Sequence, residues 1–119
     1  MEKNPKIAAH TRLESWAVAG VPDLVICDVG GSYHFIELKS ISGNVINLSS
    51  HQVAWMTRHA HASAWIFVMK NATKTLPAKY FLFHANQAVS LKFDGLSVES
   101  MYSSEEPNFE KFINLILKV

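Results

Sequence analysis

The stretch from Gly20 to Lys39, GVPDLVICDVGGSYHFIELK, constrains the fold of this chain more than any other. Leu24 to Val29 and Tyr33 to Leu38 are short runs rich in β-branched and aromatic residues, and Gly30-Gly31-Ser32 between them is turn chemistry. The pattern predicts a β-hairpin of two neighbouring antiparallel strands. Side chains alternate along a strand, so Asp23, Val25, Cys27 and Val29 share one face, and Phe35, Glu37 and Lys39 share one face of the partner. For Asp23 to meet Glu37 and Lys39, paired residue numbers must sum to an even value. This excludes a two-residue Gly30-Gly31 turn and requires a three-residue loop or a bulge. Pairing Val29 with Tyr33 then sets Asp23 opposite Lys39 and diagonal to Glu37, within roughly 5 to 8 Å.

The other positions on both faces are almost all apolar, so the hairpin is expected to be buried on both sides. Charges at the end of such a strand pair are costly to desolvate unless they are paired or bind a metal, which makes them candidates for a site. A Glu37–Lys39 ion pair at the surface is the simpler reading of the same two residues.

Pro22-Asp23, a strand, and Glu37-Leu38-Lys39 resemble the PD-(D/E)XK nuclease motif. Gly20-Val21-Pro22-Asp23-Leu24 resembles its virus-type replication-repair nuclease (VRR-NUC) branch, and Leu48-Ser49-x-x-Gln52-x-x-Trp55 follows. Glu-x-Lys alone arises often by chance; the full order, covering about Arg12 to Trp65, carries the resemblance. It implies an α/β fold with a restriction-endonuclease-like core, a mixed sheet flanked by helices. It also implies a metal-dependent phosphodiesterase in which Asp23, Glu37 and the main-chain carbonyl of Leu38 offer hard oxygens to Mg²⁺ or Mn²⁺. Glu14 matches the upstream acid that completes the metal site, Lys39 would position or deprotonate the attacking water, and Gln52 would order the site. Small stand-alone members are similar to structure-selective nucleases that cut branched DNA such as Holliday junctions as homodimers, and many relatives are phage-borne.

A chain of 119 residues, 49% of them hydrophobic, fits one domain over residues 1–119. No stretch has the ~18 uninterrupted apolar residues of a membrane helix, and MEKNPKIAAH lacks the apolar core of a signal peptide. A cytoplasmic protein is expected. Cys27, the single cysteine, reads as a small core residue. Net charge is +1, but residues 1 to 79 carry eight Lys/Arg against five Asp/Glu, and residues 80 to 119 carry three against five. With the acids of the site neutralised by a metal, the N-terminal part would present a basic surface to DNA and the C-terminal part would face away.

Along the chain, Lys3 to Ser15 neither alternates cleanly nor shows a helical stripe, so strand and helix both stay open. Ser40 to Asn47 reads as a loop placed to touch DNA. Ser49 and Gln52 form a capping box, with Leu48 and Val53 as a hydrophobic staple, so a helix starts there. Gln52 has two readings, closing the cap and ordering the site, and they can coexist. Val53, Met56, Ala60 and Ala64 mark the buried stripe of that helix, leaving Arg58, His59 and His61 exposed. Arg58 and His59, with His51 and Arg12, are the candidate DNA contacts. His59 and His61 point in different directions on a helix and have no third ligand, which argues against zinc. Ala64 to Met69 and Lys79 to His84 should extend the sheet, a short helix is expected near Asn86 to Leu91, and Pro107 opens a last helix with Phe109, Phe112, Ile113 and Ile116 on one face.

A nickase, flap or restriction-type nuclease would use the same chemistry, and a non-catalytic DNA-binding subunit could share the fold. The high apolar fraction, with Trp55, Trp65 and Phe109 expected at the surface, points to a homodimer.

Overall fold

The computed structural model describes residues 4–13 and 19–117. Among the described residues six strands form one sheet in sequential order: β1 (Ile7–Arg12), β2 (Leu24–Asp28), β3 (Tyr33–Ile41), β4 (Ala64–Lys70), β5 (Lys79–His84) and β6 (Tyr102–Ser104). Neighbours are antiparallel except β3 and β4, which run parallel and are joined through α1 (Ser50–Arg58). A short 3-10 turn leads from β5 into α2 (Ala88–Asp94), and α3 (Phe109–Leu117) follows β6. The fold is therefore mixed α/β, with helices on both faces of a mixed sheet.

The two faces hold separate cores. Ile41, Ile66, Val68 and Phe83 pack with Trp55 and Met56 of α1 and with Ala88 and Leu91 of α2. On the other face Ile26, Ile36, Trp65 and Leu82 pack with Phe112, Ile113 and Ile116 of α3. Fully burying one such side chain contributes about 1.5–3 kcal/mol, so each helix is held mainly by its apolar face. Strand β3 lies between these layers. Its odd residues Phe35, Glu37, Lys39 and Ile41 point toward α1 and its even residues Ile36 and Leu38 toward α3.

The hairpin keeps the expected parity and changes the register. Val25 pairs with Phe35 and Cys27 with Tyr33, and the Asp28 N–H donates to the Ser32 carbonyl at 2.9 Å. Val29-Gly30-Gly31 is the three-residue loop, so Asp23 falls opposite Glu37 rather than opposite Lys39. The cause is Asp28, whose Oδ1 accepts from the N–H groups of Gly30 (2.9 Å) and Ser32 (3.0 Å) and closes the turn inside the apolar run. Gly31, at φ 88, supplies the left-handed residue that the turn needs.

Other expectations change with tertiary context. The segment 7–12 is a strand, fixed by pairing with β2 and irregular between Ile7 and Ala9. β3 runs on through Ile41, and Ile46 is only 1% exposed, so the segment read as a polar loop contributes to the core. Helix α1 ends at Arg58; Trp55 and Met56 are its buried residues, while Ala60 and Ala64 lie beyond it. Trp55 and Trp65 are buried, leaving Phe109, 52% exposed, as the surface aromatic of the three. β6 is a short strand paired with β5 that the sequence did not announce.

Candidate active site

The segment Gly20 to Asp23 is pressed against the first turn of α1. Gly20 has φ +87, and a Cβ there would collide with the main-chain carbonyl of His51. Only glycine satisfies both conditions, and the contact sets the GVPD segment beside Gln52. Asp23 is then held twice. Its carbonyl accepts from the N–H of Leu13 at 2.7 Å, and its Oδ2 accepts from the N–H of Leu38 at 3.0 Å.

Glu37 projects from β3 on the same side and is 3% exposed. Gln52 donates from Nε2 to Glu37 Oε2 at 3.2 Å and accepts at Oε1 from Lys39 Nζ at 3.0 Å. That Oε1 also accepts from the Ser49 N–H at 3.0 Å, and Ser49 Oγ accepts from the Gln52 N–H at 3.1 Å. One side chain thus closes the capping box of α1 and joins the carboxylate to the lysine. Lys39 Nζ lies 3.9 Å from Glu37 Oε2, so the ion pair exists but is longer than the two amide contacts.

Burial pushes the Glu37 carboxyl up to about 8, and its hydrogen bond and charge interaction with Asp23 push the same way against the nearby Lys39. A buried carboxyl raised in this way beside a second carboxylate suits a divalent cation, whose charge would offset the burial of the ionised form. Among the described residues no group of three His, Cys, Asp or Glu side chains gathers to hold a metal. Asp23 and Glu37 with main-chain oxygen and waters suit Mg²⁺, which commonly keeps several waters. Glu14, the further expected ligand, lies outside the described residues.

The candidate DNA contacts spread out. His51 and Arg58 are exposed on α1, and His51 stands next to Gln52. His59 is half-buried: its ring stacks on Trp55 with centroids 3.8 Å apart, and its Nδ1–H donates to the Trp55 carbonyl at 2.7 Å. Arg12 is exposed at the end of β1, opposite Leu24, which places it toward the α3 side of the sheet.

A second polar network was missed by sequence reading. The Trp65 Nε1–H donates to Ser63 Oγ at 2.8 Å, and His34 bridges Ser63 (2.6 Å, Nδ1) to Asp28 (2.8 Å, Nε2). A carboxylate only accepts, so the Nε2–H donates to Asp28 and, in a neutral ring, Nδ1 accepts from the Ser63 hydroxyl. The signal for it was Asp-x-Gly-Gly-Ser, an Asp poised to cap its own turn. Every group in this network has a partner, and it ties the hairpin turn to the entry of β4.

Compared with protein families, with curated proteins and with solved structures, the chain matches none.

Proposed function

We propose that this chain is a metal-dependent endodeoxyribonuclease of the VRR-NUC branch, with a restriction-endonuclease-like core. The observation that carries the reading is the meeting of Asp23, Glu37, Lys39 and Gln52 in one small polar cluster, in the chain order the nuclease motif requires. A Mg²⁺ or Mn²⁺ ion held by Asp23, Glu37 and the Leu38 carbonyl, with Glu14 in support, would act as a Lewis acid on the phosphate and lower the pKa of water. The protein's own part is positional. The Leu38 N–H orients the Asp23 carboxylate, and Gln52 fixes Glu37 and Lys39 relative to each other. Lys39 holds the attacking water or takes its proton as the phosphodiester is hydrolysed.

Branched DNA of the Holliday-junction type is the proposed substrate, cut by a homodimer whose two-fold axis matches that of the junction. Support for the dimer is an apolar cleft of about 310 Å³ between α3 and the sheet, with Leu38 (41%) and Phe109 (52%) exposed along it. Labelled four-way junction, flap and linear duplex, incubated side by side with Mg²⁺, test the reading. Symmetric cutting of the junction is expected. Cutting of flap or plain duplex alone favours the nickase or restriction-type alternative, and binding without cutting favours the non-catalytic subunit.

Among the described residues no helix is long and apolar enough to cross a membrane, and no membrane partner is proposed.

A further inference from the structure

The carboxyl ends of the parallel pair carry a second concavity. It encloses about 380 Å³ and is lined by Asn44, Lys70, Asn71, Lys79, Phe81 and Leu96 among others, with Glu105 as its acid. In open α/β sheets, ligands bind outside the carboxyl ends of the strands, and this volume lies in the range of small-ligand sites.

Its chemistry has two parts. Phe81 and Leu96 are half-buried apolar side chains, and Lys79 Nζ sits 5.4 Å from the Phe81 ring centroid. Lys70, half-buried, donates from Nζ to Asn44 Oδ1 at 2.7 Å, which fixes its ammonium at the wall. Two lysines against one carboxylate leave an excess of one positive charge. A flat apolar surface, amide groups and paired ammonium groups suit a nucleoside phosphate better than a purely apolar or purely ionic ligand.

The register relates this pocket to the carboxylates. Ile41 pairs with Lys70, and Lys70 pairs with Lys79, so all three project from one face. Lys39 precedes Ile41 by two and shares that face. At ~3.3 Å per residue and ~4.8 Å between strands, the roots of Lys70 and Lys79 lie roughly 8 and 12 Å from that of Lys39. At about 3.4 Å of axial rise per phosphate, that is a span of roughly two to four nucleotides.

We propose that this pocket holds one nucleotide of the strand whose scissile phosphate lies at Asp23 and Glu37, its base against Phe81 and Leu96 and its phosphate against Lys70 and Lys79. The inference rests on the nuclease reading and adds a second anchor that fixes the path of that strand.

The test is binding of a fluorescent single-stranded deoxyoligonucleotide in EDTA over a range of salt concentrations. Removing one phosphate contact lowers the slope of log affinity against log salt by about 0.7 on a single strand. Lys79→Ala should show that loss and Lys79→Arg should restore it. Lys70→Ala should show it too, with thermal melting to confirm folding because the Asn44 contact is lost. Lys111→Ala, on α3, should leave the slope unchanged. Slopes in the Lys70→Ala and Lys79→Ala variants unchanged from that of the unaltered chain, or no binding by the unaltered chain, would overturn the pocket. Cleavage of a labelled four-way junction with Mg²⁺, the proposed substrate, is read in parallel. Cutting with slopes unchanged from the unaltered chain removes the pocket alone, whereas reduced slopes without any cutting remove the nuclease reading and keep a nucleic-acid site.

Discussion

Gly20 lies directly against the main-chain carbonyl of His51, with no room for a Cβ between them. The contact is backbone on backbone, so a side chain at Gly20 has nothing flexible to push aside. Gly20→Ala should therefore displace the Pro22-Asp23 segment from α1, in addition to the cost of a positive φ for alanine. The expected result is a loss of roughly 1–3 kcal/mol in urea unfolding, with cleavage reduced more than DNA binding. Unchanged stability would mean that the two segments are not in contact in solution.

Gln52 serves the helix and the site together, and two substitutions separate the roles. Gln52→Ala keeps the Ser49 cap but loses the bond to the Ser49 N–H, so it should lower stability by about 1 kcal/mol and lower cleavage by about 10- to 100-fold. Gln52→Glu can still close a capping box, but it has no N–H for Glu37. Cleavage lost in both variants places the role at the Lys39–Glu37 pair. Loss only in the alanine variant places it in the helix cap.

Glu37 makes stability depend on pH. Its folded pKa, about 8, lies above the ordinary 4.5. The protonated folded form is thus favoured at low pH, and that contribution is present below about 4.5 and is lost as pH rises through about 8. In EDTA, Glu37→Gln should therefore melt higher than the unaltered chain at alkaline pH and close to it at acid pH. A gain of ~1 kcal/mol would read as about 4 °C or more. Equal melting curves at both ends would remove the buried-carboxyl account.

Asp28 titrates in the opposite sense. Its hydrogen bond with His34, then the N–H groups of Ser32 and Gly30, hold its pKa below the ordinary 3.8. A depressed carboxylate contributes stability above its unfolded pKa, and this is lost as pH falls below 3.8 through the folded value. Asp28→Asn should flatten acid unfolding in that window, as followed by circular dichroism.

The parity of Asp23 and Glu37 was legible because alternation along a strand is local, and it survives a register change of two. The register itself was not, because Asp28 reads as one more strand residue until its carboxylate is seen to cap Gly30 and Ser32. Helix α1 was legible from Ser49 and Gln52, since a capping box is written in adjacent residues. The buried Ile46 and Trp65 were not, because what covers them comes from elements far along the chain. Strand β1 needed its partner β2 to be recognised, and Tyr102–Ser104 is too short to carry a period. At the site, Lys39 and Gln52 were both named, but the single amide that joins Lys39 to Glu37 is visible only in three dimensions.

Asp23, Glu37 and Lys39 are proposed to form a phosphodiester-cleaving centre. The most direct measurement is Mg²⁺-dependent cleavage of a labelled four-way junction by the unaltered chain, Asp23→Asn and Lys39→Ala, at matched folding and matched DNA occupancy. Cutting by the first is expected, with a loss of about 100-fold or more in each variant while binding persists. Undiminished cutting by both variants would contradict it.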